Sequence, residues 1–255
     1  MERLVDLSGK RIVVMGASSG IGKRTAVMLS DLGAELVLVA RREDKLKETL
    51  ELCAGEGHRI YPADVSDLGA IERLFKTICT EQGKLDGLVF SVGMTGSMPL
   101  SMLKPEKLQT LFTVNFFSFI ESVRQATKKG RFNEGMRIVA VSSVSSKCGD
   151  KAHTAYAASK AAMDGAIRCL ANELADRGIG INSVAPSMTA TEMYYSDYLA
   201  KNGADSEANK KILQRQYLGV AETADVAGAI AFLLSPASRF ITGITLPVDG
   251  GYTTC

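Results

Sequence analysis

A phenol and a primary amine stand four positions apart in the stretch Thr154-Ala155-Tyr156-Ala157-Ala158-Ser159-Lys160, a spacing that sets both side chains on one face of a helix, one turn apart. A free tyrosine titrates near pH ~10. An ammonium held against it favours the phenolate and draws the group toward the range where a proton is usefully given or taken. Tyr156 would then be the acid and Lys160 its tuner. Solvated helix faces also carry tyrosine and lysine at this spacing, so the pair acquires meaning only from its surroundings. Thirteen positions upstream of the phenol, Ser143 follows the strand-like run Met136-Arg137-Ile138-Val139-Ala140-Val141. Its hydroxyl is expected at a strand end, facing the same site.

A second group of residues points to a ligand. The apolar run Arg11-Ile12-Val13-Val14-Met15 ends in Gly16-Ala17-Ser18-Ser19-Gly20-Ile21-Gly22, after which Ala26, Val27, Leu29 and Leu32 recur at helical spacing, which reads as strand, tight turn, helix. Glycines let backbone N–H groups approach a pyrophosphate, and the N-terminus of the following helix offers it partial positive charge. Gly16, Ser18, Ser19, Gly20, Ile21 and Gly22 are the expected cradle. A lone glycine trio also occurs in structural turns. The next strand, Glu35–Ala40, ends at Arg41-Arg42, where an acidic residue would hold the ribose 2′-hydroxyl of NAD. Guanidinium groups suit a 2′-phosphate instead, so the chemistry favours NADP(H) over NAD(H); a solvated pair at a helix start is the plainer reading. After a third strand around Arg59-Ile60-Tyr61, Asp64 is placed to accept from an adenine amino group with Val65 against the ring. A surface turn explains the same aspartate.

Asp67 is expected to cap the helix through Ile71, Leu74, Phe75 and Ile78. A fourth strand, Leu85–Phe90, opens into the loop Ser91–Met98 containing Gly93, at the carboxyl end where open α/β sheets bind ligands. Pro105 starts a long helix bearing Leu108, Leu111, Phe112, Val114, Phe116, Phe117, Phe119 and Ile120, apolar over more than one stripe, as for a helix that meets both the sheet and a second subunit. Asn115 is an amide within it and must find partners; it is structural, catalytic or both. The Tyr156 helix extends toward Arg177 and is rich in small residues. A sixth strand, Ile179–Val184, precedes Pro186, which breaks regular structure before Thr189 and Thr191. From about 187 to 219 the chain reads as a substrate lid, with Met188, Met193, Tyr194, Tyr195, Tyr198, Leu199 and Tyr217 as anchors and Met98 facing it; an amphipathic surface excursion reads equally well. Thr223–Leu234 is the last helix and Ile244–Val248 a seventh strand, with Pro247 at a sheet edge.

Length and composition fit one domain over residues 1–255. The 46% hydrophobic content supports a large core, and a net charge of +2 without a basic stripe gives no nucleic-acid footprint. Five cysteines without CxxC or Cys/His spacing indicate neither a disulfide framework nor a metal site. Without an apolar signal core or a bilayer-spanning run, the expectation is a cytoplasmic protein with no membrane partner. Strand and helix alternate throughout, giving a doubly wound parallel sheet of seven strands, a single-domain Rossmann fold.

With these residues assembled, the chain resembles the short-chain dehydrogenase/reductase family from about Leu7 to Tyr252. The family's glycine pattern corresponds to Gly16, Gly20 and Gly22, its aspartate to Asp64, and its catalytic set to Asn115, Ser143, Tyr156 and Lys160. The turn beside the nicotinamide matches Pro186 to Thr191. Met15, the run Phe90-Ser91-Val92-Gly93 and Ser187 depart from the usual pattern, and Ser187 places a side chain near the nicotinamide. The resemblance implies hydride transfer between NADP(H) and a carbonyl, with Ser143 and Tyr156 at the oxygen, Lys160 on the nicotinamide ribose and Asn115 anchoring a proton-relaying water. It is nearest in kind to 3-oxoacyl carrier-protein reductases, with Arg124, Lys128, Lys129 and Arg131 as a patch for an acidic acyl carrier protein, or else solvated surface. A reductase of another ketone, sugar or polyol is the alternative substrate class, and a non-catalytic NADP-binding sensor the alternative of another kind. Family likeness and the two small-residue or apolar helices imply a homotetramer.

Overall fold

The computed structural model describes residues 4–192, 194, 195 and 207–254. The elements run β1 (Arg11–Met15), α1 (Gly20–Asp31), β2 (Glu35–Ala40), α2 (Glu43–Leu50), β3 (Arg59–Pro62), α3 (Leu68–Glu81), β4 (Leu85–Phe90) and α4 (Pro105–Phe112). They continue through α5 (Ser118–Ala126), β5 (Phe132–Val141), α6 (Thr154–Ala175), β6 (Gly180–Pro186), β7 (Thr189–Ala190), α7 (Glu207–Arg215), β8 (Ala221–Glu222), α8 (Thr223–Leu234) and β9 (Thr245–Val248). Seven strands form one parallel sheet in the order β3-β2-β1-β4-β5-β6-β9. Parallel strands need crossover helices, and those helices cover both faces. That is why β1 and β2 are buried along almost their whole length and read as continuous apolar runs.

One face packs Phe75, Phe90, Phe119, Met163 and Ile167 beneath α3, α5 and α6; the other packs Leu29, Leu46, Val226 and Ile230 beneath α1, α2 and α8. Because β1 lies between β2 and β4, the winding direction reverses there and a crevice opens at the carboxyl ends of β1 and β4. Most candidate site residues come from loops, strand ends or helix starts on that side; Asn115 comes from a helix interior.

The doubly wound sheet is as expected, and Asp67 caps α3 through Ala70 N–H at 3.1 Å. Several boundaries differ. The helix after Pro105 is interrupted by a π turn at Thr113–Phe117. β5 begins at Phe132, and β6 runs through Pro186 because a residue closing a strand needs no further ladder hydrogen bond there. A two-stranded pair, β7 with β8, forms where no regular structure was expected. Pro247 does lie on an edge strand. The expected lid anchors Met193, Tyr198 and Leu199 lie outside the described residues. Among the described residues, no helix is long and apolar enough to cross a membrane.

Candidate active site

The glycine loop is built by close contact. Gly16 adopts φ +87°, and a side chain there would meet the Ser91 carbonyl oxygen at 2.7 Å. A Cβ on Gly22 would lie 2.2 Å from the Gly16 carbonyl oxygen, a distance no side chain tolerates because the obstacle is backbone. The loop is held to the sheet by Gly16 and Ala17 N–H groups donating to Val39 O at 2.8 and 3.2 Å. Ser19 precedes α1 without a side-chain cap, so the first turn of α1 presents backbone donors toward the crevice. Ser18 and Ile21 are half-buried beside it. A dinucleotide pyrophosphate fits this cradle: the space is kept clear by glycine and the donors converge on it.

The remaining cofactor candidates surround the same crevice. Thr191 packs against Gly20, where an added Cβ would sit 3.4 Å from its Cγ2. Thr191 Oγ1 accepts from Tyr194 N–H, and buried Thr189 donates to Ser187 O. Pro186 closes β6. Gly93 faces the catalytic group, its Cβ position 3.4 Å from Lys160 Nζ and 3.7 Å from Asn115 Oδ1. Arg41 and Arg42 are exposed at the end of β2. Asp64 accepts from Ser66 N–H and Oγ at 2.9 and 2.8 Å, a closed turn. Those two hydrogen bonds first, then the charge of Arg41, hold its carboxyl below the usual range. Val65 is buried in the core, which leaves little of its surface for a ring.

Four side chains from three parts of the chain, the π turn, the end of β5 and α6, form the candidate catalytic group. Asn115 sits in the π turn, fully buried. Its Oδ1 accepts from Met94 N–H at 2.8 Å, and its Nδ2 donates to Met94 O and Ser159 Oγ, both at 3.0 Å. The expected amide partners are therefore present, and they tie the loop after β4 to α6. A π turn widens a helix by one residue and is frequent at functional sites. Ser143, just past β5, accepts from Ser145 N–H, and its hydroxyl is placed to favour the Tyr156 phenolate. Lys160, 3% exposed, donates to Val141 O at 2.8 Å.

The titration of this group departs from expectation. Burial pushes the Tyr156 phenol up, and the Ser143 hydroxyl acts in the opposite sense; the ammonium does not pull it toward neutrality. The reason is desolvation, which disfavours a buried phenolate. Lys160 Nζ lies 5.9 Å from the centre of the phenol ring, and burial lowers Lys160 itself to about 8, against an opposing push from Asp164. Lys160 is thus the group brought close to neutral pH.

The substrate side differs from the expected lid. Met98 N–H donates to Ala152 O at 2.7 Å, so its loop is joined to the turn before α6. Ser187 Oγ donates to Asp249 O and is engaged by the C-terminal tail. Gln216 Nε2 donates to Met188 O, Tyr217 lies against Gly251, and the Arg215 guanidinium stacks 4.1 Å over Tyr252. The tail and the end of α7 hold one another. Three residues escaped the sequence reading. Ser159 completes the Asn115 network. Ala152, at φ +64°, sets the turn that brings His153 within 6.4 Å of the Tyr156 ring, and the buried His153 Nδ1 has no hydrogen-bond partner among the described residues. Asp164 lies one turn beyond Lys160. The helical spacing Tyr156-Lys160-Asp164 was a signal for the last of these.

The patch expected to meet an acidic partner is largely paired. Arg124 binds Glu121 at 2.7 Å and Lys128 binds Glu72 at 3.0 Å, while Arg131 donates to Gln125.

Comparison with known proteins agrees with this geometry. Residues 16–253 match the family described as enoyl-(acyl carrier protein) reductase. The chain is 34% identical over 251 residues to an L-xylulose reductase of Caenorhabditis elegans, covering 97% of each. It is 32% identical over 248 residues to the 3-oxoacyl-(acyl-carrier-protein) reductase of Vibrio cholerae, covering 97% of this chain and 98% of that one. A short-chain dehydrogenase from Burkholderia cenocepacia, solved in complex with NADP, superposes with a TM-score of 0.86 at 29% identity, covering 96% of this chain and 98% of that one.

Proposed function

The chain belongs to the short-chain dehydrogenase/reductase family, and we propose that this oxidoreductase uses NADP(H) to reduce a ketone to a secondary alcohol. The observation that carries the reading is the convergence of Ser143, Tyr156, Lys160 and Asn115 beside a glycine cradle at the sheet's switch point. When bound, the nicotinamide supplies the hydride. The protein's own groups orient the carbonyl and manage charge. Ser143 donates a hydrogen bond to the substrate oxygen as negative charge grows there, and Tyr156 beside it delivers the proton. Lys160 steadies the phenolate that remains and holds the ribose. Asn115 keeps the Met94 loop and α6 in register and anchors the water that returns a proton to Lys160.

Arg41 and Arg42 support NADP(H) over NAD(H), since neither Ala40 nor Arg41 is an acidic residue that would hold a 2′-hydroxyl. Arg41→Asp is expected to move the ratio of NADPH to NADH activity toward NADH by about tenfold or more; an unchanged ratio removes Arg41 from phosphate recognition. For the substrate, a 3-oxoacyl thioester is supported by the exposed apolar side chains Met94, Leu100 and Met102 on the entrance loop, which suit an acyl chain. A small sugar or polyol ketone is the second reading, favoured by the internal pairing of Arg124 and Lys128, which weakens the patch for an acidic carrier. A panel of 3-oxoacyl thioesters, free and carrier-bound, against sugar ketones, followed by NADPH absorbance, separates them: the class with the higher kcat/KM is the substrate. A homotetramer is proposed from the partly exposed rings of Phe112, Phe116 and Phe117 at the end of α4 and in the π turn after it, testable by light scattering.

A further inference from the structure

Asp164 is a carboxylic acid in a place that ordinarily excludes one. It lies on α6 with 5% of its surface exposed, one helical turn beyond Lys160, and both side chains are buried on the same face against the sheet. Its Oδ1 accepts from Ser183 Oγ on β6 at 2.9 Å, and Ser183 is in turn within 2.9 Å of Thr245 Oγ1 on β9. A hydroxyl has one proton, so Ser183 donates to Asp164 while Thr245 donates to Ser183. This chain of donors ends on one carboxylate oxygen. The other, Oδ2, is buried with no hydrogen-bond partner among the described residues. A buried carboxylate with an orphan oxygen is costly unless a nearby positive charge offsets it.

The charged and titratable groups around it are few. On α6 they are Tyr156 and Lys160, and then Arg168, which is exposed and lies toward Gly165. Toward Lys160, the π turn offers the uncharged amide of Asn115, the loop after β4 offers Gly93, and β5 offers the Val141 carbonyl. Toward Asp164, β6 and β9 offer the hydroxyls of Ser183 and Thr245. Among the described residues, Asp164 is the carboxylate that acts on the buried ammonium.

We propose that Asp164, clamped by Ser183 and Thr245, is a positioning residue whose negative charge keeps Lys160 an ammonium at the pH of turnover. The direction of its effect on Lys160 agrees, since it opposes the loss of the proton that burial favours. The proposal rests on Lys160 acting as a cation in the hydride transfer described above. Asp164→Asn is the informative change, because the amide oxygen still accepts from Ser183 while the charge is gone.

The test reads two quantities on purified protein: the pH profile of kcat/KM for NADPH-dependent ketone reduction, and the Cε chemical shift of Lys160 in protein carrying ¹³C-lysine. In Asp164→Asn both the alkaline limb and the Lys160 midpoint should move to lower pH by on the order of one unit, and Asp164→Glu, which restores the charge, should return both toward wild type. A Lys160 midpoint unmoved in folded Asp164→Asn overturns the proposal. A moved midpoint with an unmoved limb upholds the hold of Asp164 on Lys160 and instead removes Lys160 from the rate, so the two readings fail separately. Should the Asn variant not fold, wild type decides: the Asp164 Cγ resonance must step at the Lys160 midpoint, and its absence overturns the proposal.

Discussion

The proposed catalytic group and the proposed substrate entrance lie side by side at the carboxyl edge of the sheet, yet they are held in different ways. Asn115, Ser143 and Lys160 are buried and anchored to main chain: Met94, Ser145 and Val141 supply the partners. The entrance is held by contacts between one excursion and another, with Met98 on Ala152, Gln216 on Met188 and Tyr217 on Gly251, and it exposes Tyr195, Tyr217 and Leu218. A corner fixed to a buried sheet keeps one geometry, as hydride transfer requires. An entrance tied by surface contacts opens locally at small free-energy cost and adapts to what enters.

Four substitutions test how sharp that division is. The largest expected effect is on chemistry: Tyr156→Phe should lower kcat by ~10²-fold or more with NADPH binding unchanged by fluorescence titration, and near-normal turnover would take the proton donor away from Tyr156. Lys160→Met comes next. A lysine lowered from 10.5 to about 8 makes the folded state release a proton that the unfolded chain still binds. The stability of the wild type should therefore rise between about pH 8 and 10.5. The variant should lack that rise; near pH 7 the relief of a desolvated ammonium is opposed by the loss of the charge that offsets buried Asp164, so the slope of the curve, not its height, carries the test. Parallel stability–pH curves for the two proteins would show that Lys160 is not desolvated.

Asn115→Ala should cost about 1–3 kcal/mol in urea unfolding, because it strands the Met94 main chain and Ser159; an unchanged midpoint would mean that the π-turn amide does not bind the loop to α6. The smallest effect is expected at the entrance. Gly251 has φ +94°, and a Cβ there would lie 2.5 Å from the Tyr217 ring, so Gly251→Ala should raise KM several-fold while moving kcat less than twofold. A collapse of kcat in that variant would show that tail and catalytic corner form one unit.

Much of the site was readable because it rests on local pattern. The glycine turn, the helical spacing of Tyr156 and Lys160, and the buried amide of Asn115 each state a short-range requirement that the fold honours. Less legible were features made by distant chain. Val65 turns into the core beneath β3, Ser187 is engaged by Asp249, and Arg124 and Lys128 find Glu121 and Glu72. Apart from Arg124 and Glu121, three residues apart on α5, these pairings do not follow from spacing, since the partners come from other elements. The π turn was also hidden, because its apolar periodicity differs from an α-helix by a single residue.

Residue types and their order were enough to determine a doubly wound sheet, its switch-point crevice and the side chains that converge there, because hydrophobic period, glycine turns and helix spacing act over a few residues. The tertiary structure alone decided how those groups titrate. Desolvation depends on how completely strands and helices far apart in the chain close over a side chain, and that closure raised the phenol, brought the lysine to about 8 and set Asp164 beneath it.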